Sequence, residues 1–227
     1  MERPLLEVIV QTLTDAREAA RGGADRLEVV RSLADGGLTP PLALVQEIAA
    51  QVSLPLRVMI RENAGYTTHA GELAALRAAA AAFASAGVDG VVIGFAHAGE
   101  LELDKVARVL TPAPDVNVTF HRAFDQLRDP LAAIDALAAV ARIDRILTSG
   151  GEGPPAVRAE RLRAYQEHAG TRATIIAGGG VDEAMLAVLA RIPSVREVHV
   201  GRAAFGDGGG VSAARVERLR ALIEPRG

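Results

Sequence analysis

The chain has 227 residues, 49% of them hydrophobic and 3% aromatic, with a formal net charge of -3. Its basic residues are scattered, which excludes a nucleic-acid footprint, and it has no cysteine, which excludes disulfides, a thiolate nucleophile and a thiolate metal site. No apolar run approaches the roughly 20 residues that cross a bilayer, and Met1-Glu2-Arg3-Pro4 leads straight into a strand-like segment, so the expectation is a cytoplasmic protein without a secretory leader or a membrane partner.

Strand-like and helix-like segments alternate from the start. Residues 5–10 read as a strand and 15–22 as a helix ending on Gly22, a common residue past a helix C-terminus. A strand at 26–30 precedes a helix that opens at Thr39-Pro40-Pro41, where proline suits the first turn, and runs to 52. Strand 56–61 leads to an Ala-rich helix at 71–86, and strand 88–94 to a short helix at 103–110. Strand 116–121 is followed by a cap-plus-proline start at Asp129-Pro130, with a helix to 140. Strand 143–149, helix 156–169, strand 173–177, helix 182–191, strand 197–201 and helix 211–223 complete the series.

Short apolar strands alternating with helices imply parallel βαβ units. Eight of them over 227 residues predict a single-domain (β/α)₈ TIM barrel spanning 1–227. An open doubly wound sheet is the competing topology, but the alternation never breaks and no GxGxxG follows the first strand. Gly23-Ala24-Asp25, Gly87-Val88-Asp89 and Asp144 open even-numbered strands, at the end of a barrel where conservation of shape serves stability.

The interior of such a barrel is ordinarily filled with Val, Ile and Leu, and strand side chains alternate between faces. Here one face of the fifth strand carries Asn117, Thr119 and His121, and the other carries Val116, Val118 and Phe120. The apolar face belongs against the helices, so the polar face should point inward. Glu7 and Glu28 likewise interrupt apolar strands, Arg61 ends the third strand, Ser149 the sixth, and His199 sits between Val198 and Val200. A carboxylate buried alone must find a partner or a proton, and Arg61 is the natural counter-charge for Glu7 and Glu28. The expected interior is a polar network of Glu7, Glu28, Arg61, Asn117, Thr119, His121 and His199.

Three readings of that network stay open. It could be a structural ion-pair set. It could be a ligand site with acid–base chemistry, in which two close carboxylates have separated pKa values and His121 shuttles a proton near neutral pH. It could ligate a divalent metal through oxygen and nitrogen. The candidate catalytic residues are Glu7, Glu28, Arg61, His121 and Asp125, the last placed to orient His121 or Arg122, or to cap a turn. Gly-rich ends follow three successive strands: Ser149-Gly150-Gly151, Gly178-Gly179-Gly180 and Gly201-Arg202. Backbone N–H groups there are the usual anion site of this fold. Candidate ligand contacts are therefore Asn117, Thr119, Arg122, Ser149, Gly150, Gly178, Gly179, His199 and Arg202. Tyr66 and His69 read as lid or surface residues, His97 and His168 as exposed without a role, and 206–210 as a flexible loop.

Gly23-Ala24-Asp25-Arg26-Leu27-Glu28, Asp35-Gly36-Gly37-Leu38-Thr39-Pro40, Met59-Ile60-Arg61, Val118-Thr119-Phe120-His121-Arg122-Ala123-Phe124-Asp125 and Ile146-Leu147-Thr148-Ser149-Gly150 stand in this order. Together they resemble the CutC family over nearly the whole chain. The resemblance implies a (β/α)₈ barrel, a cytoplasmic location and a role assigned to copper homeostasis, with copper-ion binding as part of it. It also shows two departures. Relatives often carry Cys where this chain has Val30, and a second Arg where it has Asn63. Copper(I) prefers thiolate or thioether ligands, and Met1, Met59 and Met185 are the only sulfur atoms here. The competing functional reading is an enzyme acting on a small anionic or sugar-like substrate. A small molecule or ion is the expected partner, with a homodimer through the Ala-rich helices as a further expectation.

Overall fold

The structure is a computed structural model that describes residues 3–224; Met1 lies outside them. Eight parallel strands close into a barrel. They are β1 (Leu5–Val10), β2 (Arg26–Val29), β3 (Leu56–Met59), β4 (Gly90–Ile93), β5 (Asn117–Phe120), β6 (Ile143–Thr148), β7 (Thr174–Ala177) and β8 (Glu197–Val200). The outer ring is α1 (Leu13–Arg21), α2 (Leu42–Gln51), α3 (Ala70–Ser85), α4 (Leu103–Val109), α5 (Pro130–Ala138), α6 (Pro155–Ala169), α7 (Glu183–Leu189) and α8 (Ala213–Ile223). Sequence neighbours pair throughout, and β1 closes on β8 with Leu5 opposite Glu197 and Glu7 opposite His199.

Local chemistry sets the helix starts. Thr12 caps α1 by accepting from Asp15 N, Asp129 caps α5 by accepting from Ala132 N, and Asp182 caps α7 by accepting from Met185 N. Proline stands at the first turn of α5 and α6, where its missing N–H has no helical partner to lose. Several strands stop one or two residues short of the sequence expectation, which puts Arg61, His121 and Ser149 just past the strand ends. A two-stranded hairpin, Ala96–His97 with Glu100–Leu101, interrupts the β4–α4 connection. Three 3₁₀ turns over the barrel mouth, Leu33–Asp35, Arg122–Gln126 and Arg202–Ala204, were also outside that expectation.

Two apolar cores result from strand alternation. The larger lies between barrel and helices and takes Val8, Leu27, Val58, Val91, Val118, Phe120, Ile146, Ile175 and Val198 from the outer strand faces. The smaller lies inside the barrel and consists of Ile9, Val30, Met59 and Val92, with Leu33 packed on it. Below this inner plug the interior is ionic. Arg26 pairs with Glu7 and with Glu197 (2.6 Å), and Arg145 with Glu197 (2.8 Å) and with Asp144. Arg57 pairs with Asp144 (2.7 Å) and Asp89 (2.6 Å). Acids and arginines thus alternate across the N-terminal half of the barrel, so among the described residues each buried charge there has an opposite one.

Gly90 leaves room for this lattice. A Cβ there would lie 2.5 Å from Arg57 Nη1 and 2.7 Å from the Asn117 carbonyl oxygen. Because a strand backbone cannot yield as a side-chain end can, Gly90→Ala is expected to cost about 1–3 kcal/mol of stability, read by chemical denaturation. Unchanged stability would show that β4 and β5 can part to admit the methyl.

Candidate functional site

A cavity of about 430 Å³ opens at the C-terminal ends of the strands. Glu28 from β2 and His199 from β8 line its floor, and Arg61, Tyr66, His121, Arg122 and Arg202 line its walls and rim. Glu28, Arg61, His121 and His199 are all buried, at 2%, 7%, 3% and 6% exposure, although they carry or can carry charge. Each is inward by strand alternation, and the loops after β2, β3 and β8 cover them.

Glu7 lies immediately beneath. Its Oε2 accepts from Arg26 Nε, and its Oε1 is 2.7 Å from His199 Nδ1. Burial alone would protonate Glu7, but Arg26 and His199 outweigh it and hold the carboxylate charged, well below its ordinary range. His199 Nδ1 also lies 3.5 Å from Glu28 Oε2. Burial opposes a charge on His199, yet Glu28 and Glu7 together raise its pKa. Glu28 has no guanidinium in direct contact, only His199, and its Oε2 is buried without a hydrogen-bond partner. Burial, reinforced by Glu7, pushes Glu28 up to about 7. Glu28 therefore holds a proton up to about neutrality, next to a His199 whose protonated form the carboxylates favour, with Glu7 as the fixed negative charge behind them.

Arg61 is not the counter-charge expected for the two carboxylates; Arg26 takes that place. The Arg61 guanidinium donates to the carbonyls of Gly36 (3.0 Å), Gly65 (3.1 Å) and Ala64, and stacks 4.7 Å from the Tyr66 ring centroid. It clips two mouth loops together. Physically, its position past the strand end lifts it above the level of Glu7, and five fixed donors are best satisfied by loop carbonyls. Tyr66 is a half-buried cavity wall, with its ring 5.4 Å from that of His121. His69 is exposed, 3.5 Å from Glu72.

His121 is also corrected as a proton shuttle. Its Nδ1 accepts from Ala123 N at 3.2 Å, which fixes the Nε2–H tautomer. Burial, with Arg61 and Arg122 adding to it, lowers its pKa to about 3, so it stays neutral and serves as a donor. A depressed imidazole pKa contributes stability above 6.5 that is lost as pH falls through 6.5 towards 3. Wild type is therefore expected to lose about 2 kcal/mol relative to His121→Gln between pH 7 and pH 5, measured by urea denaturation of both at each pH. A pH-independent difference would mean that His121 protonates in the folded protein.

The remaining candidates separate by height. Asn117 is exposed at the opposite end of the barrel, its Nδ2 on the Asp89 carbonyl (3.0 Å), and so cannot reach this cavity. Strand parity gave its direction and not its level. Thr119 is fully buried, with Oγ1 unpartnered, and does not line the cavity. Asp125 accepts from Thr148 Oγ1 (2.6 Å) and Ser149 N (3.1 Å) and pairs with Arg122 Nε (2.9 Å). It is a turn anchor that positions Arg122 and makes no contact with His121. Ser149 and Gly150 are buried in the turn after β6: Ser149 Oγ accepts from Gly151 N, and Gly150 donates to Thr148 Oγ1. The Gly178 carbonyl accepts from Arg158 (3.1 Å), while Gly179 and Arg202 face the cavity. His97 is exposed and His168 is paired with Asp135 (3.1 Å).

Arg26, Arg57, Arg145, Glu197 and Asp144 were absent from the candidate set. Period-two spacing from Glu28 to Arg26, from Arg61 to Arg57 and from Ser149 to Arg145 was the available signal. They lie at or within two residues of their strand starts and were counted in the strands without a site role.

One ligand atom each from Glu7, Glu28 and His199 lies within 4.8 Å of the others. Those donors are oxygen and nitrogen, so they do not suit copper(I). Met185 is fully buried in α7, and Met59 belongs to the inner apolar plug. For a divalent ion the fit also fails, because both Glu7 oxygens are engaged and the Arg26 cation touches one of them.

Comparisons with known proteins agree with this architecture. A family model described as the CutC family matches residues 4–204. A CutC family protein of Caulobacter vibrioides is 39% identical over 199 residues, 87% of this chain and 80% of that protein. The copper homeostasis protein cutC homolog of Homo sapiens is 30% identical over 207 residues, 90% of this chain and 76% of that one. The crystal structure of CutC from Streptococcus agalactiae superposes with a TM-score of 0.79 at 24% identity, over 87% of this chain and 98% of that chain. Barrel closure, the mouth loops and the buried Glu7–His199–Glu28 group all fall inside the matched span, and the chain belongs to the CutC family.

Proposed function

We propose that this protein takes part in copper homeostasis, the role stated in the name of its human relative, through a small-ligand site at the barrel mouth and not as a copper carrier. Family membership supports the role. The single observation that carries the site is Glu28, a carboxyl group at the cavity floor with a buried, unpartnered oxygen beside His199. An orphaned buried acceptor costs about 1–3 kcal/mol, and a ligand hydroxyl or amine at the cavity floor would bind the same carboxyl group. With a pKa near 7, Glu28 can give and take a proton at physiological pH. Glu7 and Glu28 favour the protonated form of His199, and the His121 Nε2–H supplies a fixed donor. The same geometry would suit a second reading, an enzyme acting by acid–base chemistry on a small anionic or sugar-like substrate. The proposal sets it in the cytoplasm, in keeping with a cysteine-free chain.

Calorimetric titration with copper(I) and copper(II) tests the carrier question: no saturable binding is expected. Stoichiometric binding lost in Glu28→Gln would overturn the proposal. A strain lacking this protein is expected to be copper-sensitive, rescued by wild type and not by Glu28→Gln; normal copper tolerance would remove the copper role.

A further inference from the structure

The wall of the cavity opposite β2 is built to receive negative charge. The whole chain is acidic, at -3. The cavity reverses that balance, with Arg61, Arg122 and Arg202 against Glu28 and Asp35. Arg61 spends its donors on loop carbonyls. Arg122 spends only Nε, on Asp125, and among the described residues the Arg202 side chain forms no hydrogen bond or ion pair.

Between these two cations runs Gly179-Gly180-Val181, which also lines the cavity. Gly179 and Gly180 both have left-handed φ, +69° and +68°. A Cβ on Gly179 would meet Arg122 Nε at 2.8 Å, so a side chain there would push the guanidinium away. A Cβ on Gly180 would meet nothing within 4 Å, so that backbone is open. Among the described residues the backbone N–H groups of Gly179, Gly180 and Val181 donate to no protein acceptor, whereas Gly178 N donates to Thr148 O (2.9 Å). Successive free N–H groups beside guanidinium groups form an oxyanion cradle. On the floor of the same cavity lies the carboxyl group of Glu28, more than nine-tenths buried.

We infer that the cavity binds a small hydroxylated oxyanion. Its phosphate or carboxylate group rests against the Gly179, Gly180 and Val181 N–H groups beside Arg122 and Arg202, and a hydroxyl reaches the Glu28 carboxyl group. This rests on reading the cavity as a small-ligand site and adds which end of the ligand each wall holds. The cavity volume, about 430 Å³, suits a compact metabolite.

Calorimetry at low salt with four probes tests it: inorganic phosphate, glycerol 3-phosphate, glycerate and glycerol. Glycerol 3-phosphate or glycerate should saturate one site, inorganic phosphate should compete, and glycerol should not bind. The tighter of the two hydroxylated anions identifies the oxyanion. Arg122→Gln and Arg202→Gln should each weaken that anion at least about tenfold. Both side chains are substantially exposed, so the variants should melt as wild type does. Glu28→Gln should weaken the hydroxylated anion and leave inorganic phosphate unchanged. No saturable anion binding, glycerol binding as well as the anions, or unchanged affinity in both arginine variants would overturn the inference. If the arginine dependence holds while Glu28→Gln binds both hydroxylated anions normally, the cradle stands and the acid–base reading of Glu28 falls.

Discussion

Arg26→Met is expected to lower the unfolding free energy by about 3–5 kcal/mol and Tm by about 6–20 °C. Arg26 is 2% exposed, and it bridges Glu7, fully buried, to Glu197, 8% exposed. Methionine fills similar space, so the loss is electrostatic. Glu197 keeps Arg145, but Glu7 is left with His199 as its only partner, and a buried carboxylate deprived of its cation carries most of the penalty. The sign with pH follows. Wild-type Glu7 is held far below 4.5, so its contribution is present above pH 4.5 and fades as pH falls below that value. The gap between wild type and Arg26→Met should therefore be widest at neutral pH and narrow in acid. Adding Glu7→Gln to Arg26→Met should recover part of the loss, since the unpaired charge is gone. A neutral-pH cost below about 1 kcal/mol would mean that water reaches Glu7 and solvates it.

Glu28→Gln is expected to behave in the opposite way, losing ligand while gaining stability at alkaline pH. Burial raises Glu28 from 4.5 to about 7, so the folded protein binds the proton more tightly than the unfolded chain does. Wild type then loses stability as pH rises from 4.5 to about 7, with a limiting slope of about 1.4 kcal/mol per pH unit. Glutamine carries no charge and removes that loss, so the variant should gain on wild type through this window, followed by urea denaturation at each pH. Ligand affinity should fall at least about tenfold, since the oxygen that would accept the ligand hydroxyl as an anion is replaced by a neutral amide. The two carboxylates thus differ in kind. Glu7→Gln reports on the ionic lattice through Arg26, whereas Glu28→Gln reports on the cavity.

The barrel was legible because apolar and polar residues alternate cleanly, with Val118 and Phe120 outward and Thr119 and His121 inward. The same parity put Glu7, Glu28 and His199 in the interior, where they meet. Parity carries no height. Asn117 shares a face with His121 yet lies at the far end of the barrel, and tilt between neighbouring strands sets Arg26, not Arg61, opposite Glu7. Loop geometry was the other missing quantity. Asp125 folds onto the turn after β6, and Arg61 reaches carbonyls of two mouth loops. Both outcomes depend on φ/ψ values that the spacing of charged residues does not encode. The Gly178-Gly179-Gly180 end was visible as an anion candidate, but only the structure separates Gly178, whose N–H is engaged, from Gly179 and Gly180.

Side-chain carboxyl chemical shifts of ¹³C-labelled glutamate, followed from pH 3 to 9 in wild type and Glu28→Gln, test the proton-holding role of Glu28 most directly. One resonance should titrate near pH 7 in wild type and be absent from the variant, while the Glu7 resonance stays at its ionised position down to the acid limit. A wild-type protein in which every glutamate has ionised by pH 5 would contradict the account.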